Sequence, residues 1–220
     1  MCLIVLGWQS HAELPLVVAA NRDEFHRRPS AQAAFWDDHP EILAGRDLEA
    51  GGTWMGVSRS GRFAAVTNYR GAKEASAAES RGALVTRFLR AARSPGDFMN
   101  GIDQKAYSGF NLLACDGEEL WWMSNRNGPP RRLAPGIYGL GNTLLDAPEV
   151  DAIKASFAGA LSASPAMEPL FSLLGRARIL HPDYGTRCST VLLKTKDRTQ
   201  YAERAFSPDG TELETARYLF

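Results

Sequence analysis

The chain is predicted to have an α+β fold in which antiparallel sheets are covered by helices. Strand-like apolar runs cluster towards both ends of the 220 residues, and helical patterns lie between them. Turn residues such as Asp116-Gly117 join neighbouring runs, which favours hairpins over parallel crossovers. Runs 2–6 and 109–115 are apolar on both faces, as in strands that have a second sheet on one side and helices on the other. These observations favour α/β/β/α layering.

The strands are predicted from short apolar runs that are bounded by polar turn residues. They are 2–8, 14–20, 54–58, 62–69, 109–115, 119–124, 188–194, 200–206 and 213–219.

Two hairpin registers follow from the turns. The polar run Gln9 to Glu13 separates the first two strands, and a turn centred on residue 11 pairs positions that sum to 22. A turn centred on residue 60 joins the strands 54–58 and 62–68 and would set Gly52 opposite Asn68.

Three helices are predicted in the middle of the chain from apolar residues at helical spacing. Ser80 is expected to cap the first, whose apolar face is Leu84, Val85, Phe88, Leu89 and Ala92. The second spans 149–161, with Val150, Ile153, Phe157 and Leu161, and the third spans 167–174.

Composition excludes several classes of protein. The 25 basic and 25 acidic side chains cancel, which argues against a nucleic-acid partner. No apolar run approaches the length of a membrane span, so we expect no membrane insertion. Three cysteines at unrelated spacings favour a reduced, cytoplasmic location without disulfides. No linker or repeat interrupts residues 1–220, which we assign to one domain; the oligomeric state is left open.

Cys2 is the first candidate for chemistry. We expect Met1 to be trimmed, since small second residues permit this. A terminal cysteine then carries a nucleophile and, in its α-amine with a pKa of about 8, a base. The alternative is a small apolar residue at the start of a strand.

The first hairpin strengthens the catalytic interpretation. With paired positions summing to 22, Cys2 lies opposite Ala20, and the polar residues Asn21, Arg22, Asp23 and Glu24 follow directly. The hairpin therefore delivers these four side chains beside the amino terminus.

The second hairpin brings Gly51-Gly52-Thr53-Trp54 beside Thr67-Asn68-Tyr69-Arg70. Glycines at this position permit close approach to a ligand, or they serve a bulge. Asn68 and Asn142 are neutral donors suited to an oxyanion, although asparagine is also a common turn residue.

A third polar segment, Thr186-Arg187-Cys188-Ser189-Thr190, opens a strand and could supply a cation or a hydroxyl. Cys188 and Cys115 are both interpreted as packed thiols without a chemical role.

Metal and cofactor motifs are absent from the sequence. The histidines at positions 11, 26, 39 and 181 share no ligand spacing, and there is no CxxC, Walker loop or GxSxG. We expect no metal and no cofactor. A single axial histidine leaves no motif, so haem stays open as a bound ligand.

The ordered motifs resemble the NRDE family, also called the transport and Golgi organisation 2 family. They are Met1-Cys2, Asn21-Arg22-Asp23-Glu24, Gly51-Gly52-Thr53-Trp54, Thr67-Asn68-Tyr69-Arg70, Ser80-Arg81-Gly82 and Gly185-Thr186-Arg187. The resemblance spans the chain from Met1 to about Leu193. It implies an Ntn-hydrolase-like fold, a four-layer αββα sandwich of two mainly antiparallel sheets flanked by helices, with a mature N-terminal cysteine.

The resemblance also implies roles for individual residues. By similarity to cysteine amidases of the choloylglycine hydrolase group, Cys2 would be nucleophile and base, and Arg22 and Asp23 would position it. Asn68 or Asn142 would serve the oxyanion, and Arg187 would assist. In the amidases, however, the arginine and the aspartate are separated by two residues, whereas here they are adjacent. The residues expected to bind substrate are Asn21, Glu24, Gly52, Thr53, Trp54 and Tyr69.

The sequence and the resemblance leave two alternative functions. The first is a hydrolase that cleaves a non-peptide C–N (amide) or thioester bond of a small molecule through an acyl-enzyme on Cys2. The second is a non-catalytic carrier or chaperone for haem or an acyl-CoA or lipid conjugate, since the family is associated with Golgi organisation, lipid metabolism and haem movement.

Overall fold

The computed structural model describes residues 2–71, 77–163 and 165–220 of the chain. Its strands are β1 (Leu3–Trp8), β2 (Leu16–Phe25), β3 (Ser30–Phe35), β4 (Ile42–Asp47), β5 (Met55–Ser58), β6 (Phe63–Asn68), β7 (Phe110–Cys115), β8 (Leu120–Ser124), β9 (Asn127–Arg132), β10 (Gly136–Leu140), β11 (Tyr184–Lys194), β12 (Thr199–Phe206) and β13 (Glu212–Leu219). Its α-helices are α1 (Gly82–Arg90), α2 (Pro95–Asn100), α3 (Asp151–Ser162) and α4 (Met167–Gly175).

The chain forms two compact units. The first consists of Met1–Arg28, Pro135–Gly141 and Leu145–Phe220, and the second of Pro29–Ala134 and Asn142–Leu144. The assignment of residues 1–220 to one domain stays a prediction.

The first unit is built on a six-stranded sheet in the order β10-β1-β2-β11-β12-β13, whose neighbouring strands are antiparallel. Helices α3 and α4 cover one face of it, because every second residue of the central strands is apolar and points to that side. The core there consists of Val5, Leu14, Val17, Ala19, Val191, Leu193 and Ala202 from the sheet side and Phe157, Leu161, Leu170, Phe171, Leu173 and Leu174 from the helices.

The second unit is built on a seven-stranded antiparallel sheet in the order β3-β4-β5-β6-β7-β8-β9. Helices α1 and α2 pack on it. Leu84, Val85, Phe88 and Leu89 of α1 are buried as the helical spacing predicts, whereas Ala92 is exposed beyond the end of the helix.

The α+β class with two antiparallel sheets and associated helices is confirmed. All nine predicted strands and all three predicted helices are present, with ends displaced by a few residues. Four strands and one α-helix of the described residues are not predicted from the sequence: β3, β4, β9, β10 and α2. Their sequences are short or mostly exposed, as in Asn127–Arg132 with two prolines, so they lack an apolar period.

The predicted cap of α1 is wrong by one residue. Arg81 is the N-cap and its side chain makes no capping hydrogen bond, whereas Ser80 contributes only its main-chain carbonyl, to Ala83.

One predicted hairpin register is confirmed and the other is wrong. Met55 pairs with Ala65, so β5 and β6 are centred on residue 60. Leu3 pairs with Asn21, so positions in β1 and β2 sum to 24 rather than 22. The turn includes Leu14, which is buried, and Pro15, whose carbonyl accepts from Gln9, so its centre lies one residue later than the polar run suggests.

Candidate active site

Three neighbouring strands of the first unit bring most of the predicted catalytic residues together. Strand β2 carries Arg22 and Asp23, and its neighbour β11 sets Cys188 opposite Arg22 and Thr186 opposite Asp23. Cys2 directly precedes β1, whose first residue, Leu3, pairs with Asn21. A shift of two residues in the hairpin keeps every side chain on its predicted face, so the predicted neighbourhood survives the error in register.

Cys2 lies against the main chain of Asp23. Its thiol donates a hydrogen bond to the Asp23 carbonyl oxygen over 3.8 Å, and the residue is partly buried. Burial raises the pKa of the thiol above its ordinary value, against the opposing effects of that hydrogen bond and of the Arg22 charge. A thiol in this state is protonated at neutral pH and needs a base before it can attack a carbonyl group.

Asp23 is a buried carboxylate, 5% exposed, that is held in a fixed position. Thr186 donates from Oγ1 to its Oδ1 over 2.6 Å, and the Tyr184 hydroxyl donates to its carbonyl oxygen over 3.1 Å. The Thr186 hydroxyl is itself fixed, because it accepts from the main-chain amide of Ile179. Burial raises the pKa of the Asp23 carboxyl, and the hydrogen bond from Thr186 opposes that rise.

Arg22 is a buried cation on the same strand. Its guanidinium lies 3.9 Å from Glu24, and its charge lowers the pKa of the Cys2 and Cys188 thiols. Cys188 is 5% exposed, and burial first, then the nearby Glu203 charge, raises the pKa of its thiol well above the ordinary value. Cys188 is therefore a packed thiol, as the sequence predicts, and its lack of a chemical role stays a prediction.

Arg187 is the extra residue of an irregularity in the ladder between β11 and β2, where the register shifts between Thr186 and Cys188. Such bulges redirect side chains beside functional sites. Its Nη1 donates to the carbonyl oxygens of Phe25, His26 and Arg28 at 3.1–3.2 Å, so it holds the turn that follows β2. Burial and the neighbouring Arg22 charge lower the pKa of its guanidinium.

Asn21 lies at the helix-covered face of the same strand. Its amide donates to the Leu174 carbonyl of α4 over 3.1 Å and accepts from Ser189 over 2.6 Å. These contacts tie β2 to α4 and β11. The carboxylate of Glu24 accepts from the main-chain amide of Phe25. Substrate binding by Asn21 and Glu24 stays a prediction.

The remaining predicted site residues belong to the second unit. Gly52 is buried where the chain passes the start of α1, and a Cβ there would lie 2.6 Å from the Gly82 carbonyl carbon. The close approach that this glycine permits is therefore made by protein backbone. The Thr53 hydroxyl donates to the Met55 carbonyl, and the Trp54 indole lies over Gly45.

Asn68 and Asn142 are neighbours in this second unit. The side-chain amide of Asn142 donates to the main-chain carbonyl of Asn68 over 2.7 Å. The main-chain carbonyl of Asn142 accepts from the main-chain amide of Arg70 over 2.6 Å. Asn68 is exposed at the end of β6, and the adjacent Tyr69 donates its main-chain amide to Gly109. Their roles towards oxyanion and substrate stay predictions.

Sequence reasoning missed three residues that shape these sites: Tyr184, which fixes Asp23; Asn111; and Glu203. Asn111 is fully buried in β7 and donates to the Thr143 carbonyl over 2.7 Å. Glu203 is 1% exposed on β12, where its carboxylate accepts from Thr190. Asn111 is a polar residue in an otherwise apolar strand, and Glu203 is a charged residue at an inward-facing position of its strand. Both are signals that the sequence contains.

Two other kinds of site are absent from the described ranges. No group of three or more histidine, cysteine, aspartate or glutamate residues there is placed to hold a metal ion. No helix among the same residues is both long and apolar enough to cross a bilayer. The predicted removal of Met1 concerns a residue outside the described ones.

The profile of the Transport and Golgi organisation 2 family matches residues 1–183. The chain belongs to this family. Two homologues of its name-giving protein, from Bos taurus and Homo sapiens, are each 34% identical over all of this chain and 99% of their own length. The family resemblance inferred from the ordered motifs is thereby confirmed.

Among solved structures, this family member is similar to an acylase and to a hydrolase. A penicillin V acylase from Agrobacterium tumefaciens superposes with a TM-score of 0.53 and 13% identity, covering 93% of this chain and 83% of the acylase. The C2A mutant of a conjugated bile acid hydrolase from Clostridium perfringens gives a TM-score of 0.53 and 9% identity, covering 99% and 97%. At such identities the similarity concerns the fold alone, and it confirms the predicted Ntn-hydrolase-like fold.

Proposed function

We propose that this protein is an N-terminal-cysteine hydrolase that cleaves a small-molecule amide or thioester through an acyl-enzyme on Cys2. The observation that carries the proposal is the contact between the Cys2 thiol and Asp23, a buried residue held by Thr186 and Tyr184. The fold shared with a penicillin V acylase and a bile acid hydrolase supports it.

The state of the thiol favours an amine base over a preformed thiolate. Burial raises the pKa of Cys2, so a resting thiolate is disfavoured. After removal of Met1, the α-amine of Cys2, with a pKa of about 8, would be partly unprotonated at neutral pH. This amine would take the proton as the sulfur attacks, as in other N-terminal nucleophiles.

The proposed reaction has two halves. In the first, a C–S bond forms between Cys2 and the carbonyl carbon, the C–N or C–S bond of the substrate breaks, and the α-amine passes its proton to the leaving group. In the second, water attacks the acyl carbon, the C–S bond of the acyl-enzyme breaks, the α-amine passes a proton of the water to the sulfur, and the acid leaves with the thiol restored. Arg22 and Asp23 would position Cys2, Arg187 would hold the adjoining turn, and Asn68 or Asn142 would stabilise the oxyanion.

The test is a comparison of mature wild type with Cys2→Ala on a panel of small amides and thioesters. Turnover is expected to disappear in Cys2→Ala, while Cys115→Ala, a change in a different buried strand, should retain it. A reactive acyl ester should add one acyl group to Cys2, located by peptide mass.

Three results would contradict the proposal. They are turnover by Cys2→Ala, acylation of Cys115 or Cys188 before Cys2, and an intact mass showing that the native untagged protein keeps Met1. If nothing on the panel is cleaved, and haem or an acyl-CoA binds wild type and Cys2→Ala equally, the carrier function replaces the hydrolase.

A further inference from the structure

The main-chain carbonyl of Asp23 accepts hydrogen bonds from two side chains. The Cys2 thiol donates to its oxygen over 3.8 Å, and the Tyr184 hydroxyl donates to the same oxygen over 3.1 Å. The ladder between β1 and β2 ends at the pair of Leu3 and Asn21, so Asp23 lies beyond its last residue pair. Side chains can therefore satisfy a carbonyl that this ladder leaves over. The proposed nucleophile and a phenol share one acceptor.

The ring of Tyr184 is held in place independently of its hydroxyl group. Tyr184 opens β11 and pairs with Phe25 of β2, and the two rings meet edge to face, with centroids 5.3 Å apart and planes at 75°. Aromatic pairs of this geometry attract each other beyond the burial of their surfaces. The main-chain amide of Tyr184 also donates to the carbonyl of His181 over 3.3 Å. The hydroxyl is thus aimed at the Asp23 carbonyl by contacts that a phenylalanine would keep.

The two donors affect each other through the oxygen that they share. A carbonyl oxygen carries partial negative charge, which opposes the formation of a thiolate beside it. A phenol that donates to this oxygen brings the positive end of its O–H dipole close and weakens that opposition. Hydrogen bonds in a protein interior polarise one another, because screening there is weak. The Tyr184 hydroxyl is therefore placed to make the Cys2 sulfur easier to deprotonate.

We propose that Tyr184 is a positioning residue for Cys2, whose hydroxyl fixes the Asp23 carbonyl and favours transfer of the thiol proton to the α-amine. This role rests on the function proposed for Cys2, since it concerns the same nucleophile. Tyr184 acts through the Asp23 carbonyl and does not touch the substrate. Its hydroxyl should therefore affect the rate of acylation and leave substrate binding unchanged.

Other ionisable groups around Cys2 act on its thiol as well. Burial raises the pKa of the Cys2 thiol, the hydrogen bond to the Asp23 carbonyl lowers it, the Asp23 charge raises it, and the Arg22 charge lowers it. Cys188 on β11 is the other thiol nearby, and burial raises its pKa well above the ordinary value. None of these groups is altered when Tyr184 is replaced by phenylalanine. A change in the reactivity of Cys2 with pH can then be assigned to the hydroxyl.

Alkylation of the mature full chain by iodoacetamide measures the effect without any substrate. Tyr184→Phe should move the pH profile of alkylation at Cys2 upwards, because the variant lacks a dipole that favours the thiolate. The rate at pH 7, followed by peptide mass, should fall by about threefold to tenfold, which corresponds to a rise of about half a unit to one unit in the thiol pKa. The melting temperature should stay close to that of wild type, since the ring keeps its contact with Phe25.

Tyr107→Phe is the matched control, because it also removes a hydrogen-bonded phenol. The Tyr107 hydroxyl donates to Glu79 over 3.1 Å and accepts from Arg87 over 2.6 Å, and all three residues belong to the second unit. Loss of this hydroxyl should affect stability and leave the alkylation profile of Cys2 unchanged. The comparison separates a specific effect on the thiol from a general loosening of the fold.

Turnover gives a second measurement, with any amide or thioester that the wild type cleaves. Tyr184→Phe should lower kcat by about tenfold and leave KM within about twofold of wild type, because the hydroxyl acts on the nucleophile and not on binding. Tyr107→Phe should change neither constant. A rise in KM with kcat unchanged would instead assign Tyr184 to substrate binding and overturn the positioning role.

The outcomes keep this role apart from the proposed reaction. An alkylation profile of Tyr184→Phe that matches wild type overturns the role given to the hydroxyl. An equal shift in Tyr107→Phe overturns it too, since the effect would then be general. A shift confined to Tyr184→Phe, together with a panel on which nothing is cleaved, supports the effect on the thiol and counts against the hydrolase function alone.

Discussion

Asp23 is a residue of the candidate site whose buried carboxyl group affects the stability of the fold. Its main-chain carbonyl accepts from the Cys2 thiol, and burial raises the pKa of its carboxyl group. Since the folded state binds the proton more tightly than the unfolded chain, stability is lost as pH rises through the folded pKa and regained as pH falls through it. The ionised carboxylate therefore destabilises the fold at neutral pH, as functional groups often do.

Asp23→Asn should separate the two roles of this residue. The amide oxygen can still accept from Thr186, and the buried negative charge at position 23 is removed, so the melting temperature at pH 7.5 should equal or exceed that of wild type. The difference should shrink at pH values below the raised pKa. Turnover should fall by about 100-fold or more, since the carboxylate proposed to position Cys2 is replaced by an uncharged amide. Thermal melts at both pH values and kcat check this; a large loss of stability at pH 7.5 would contradict it.

Asn21→Ala should act mainly on stability. The change leaves the Leu174 carbonyl and the Ser189 hydroxyl without their partner in a buried position. The free energy of unfolding should fall by about 1–3 kcal/mol. Ser189→Ala, which removes only one of the two hydrogen bonds, should cost less. Urea unfolding measures both, and an Asn21→Ala variant with wild-type stability and a raised KM would instead support the predicted role in substrate binding.

At the scale of elements, Asn111 joins two segments that are distant in the sequence. From the middle of the second sheet, its amide donates to Thr67 on β6 and to Thr143 in the segment 142–144. Asn111→Leu keeps the branched outline of the side chain but removes both hydrogen bonds, and should lower the free energy of unfolding by about 1–3 kcal/mol. Asn100→Ala, at an exposed helix end, is the control and should be nearly neutral. Equal effects of the two changes on urea unfolding would refute the role given to Asn111.

Gly52 sets how closely α1 approaches the loop before β5. Gly52→Ala would place a methyl group 2.6 Å from the Gly82 carbonyl carbon and 2.8 Å from its oxygen, so the backbone must shift. A loss of about 1–3 kcal/mol is expected. The adjacent Gly51 has φ +76 and open space around it, so Gly51→Asn should be tolerated, because asparagine adopts left-handed backbone readily. Urea midpoints that rank these two variants in the opposite order would contradict the packing.

The two hairpins show what limits prediction at this scale. The turn 59–61 is tight, and Gly61 with φ +84 accommodates its left-handed conformation, so turn chemistry locates the centre. The turn between β1 and β2 has no glycine, and Gln9 adopts the left-handed conformation with φ 47. Its centre is decided by the burial of Leu14 and by the hydrogen bond from Gln9 to Pro15, which follow from packing and leave no local sequence signal.

Across the whole molecule, the three cysteines differ sharply in access. All are free; Cys115 and Cys188 are 0% and 5% exposed, and Cys2 is partly buried. A thiol reagent should therefore react with at most Cys2 in the native protein and with three thiols after unfolding. The unfolding midpoint should not change with reductant, because no disulfide contributes to it. Native labelling of Cys188 ahead of Cys2 would contradict this order.

The sequence by itself determined the α+β class, the family and nine of the thirteen strands in the described residues, and it predicted Cys2, Arg22 and Asp23 as one group. These features can be predicted locally, because apolar alternation, turn residues and motifs each depend on residues that are close together in the sequence. Only the tertiary structure decided that Thr186 and Tyr184 hold Asp23, that Arg187 secures the turn after β2, and that Gly52 makes room for α1. Each depends on which distant strands become neighbours and in what register, and that is set by packing of the whole core, which no local pattern records.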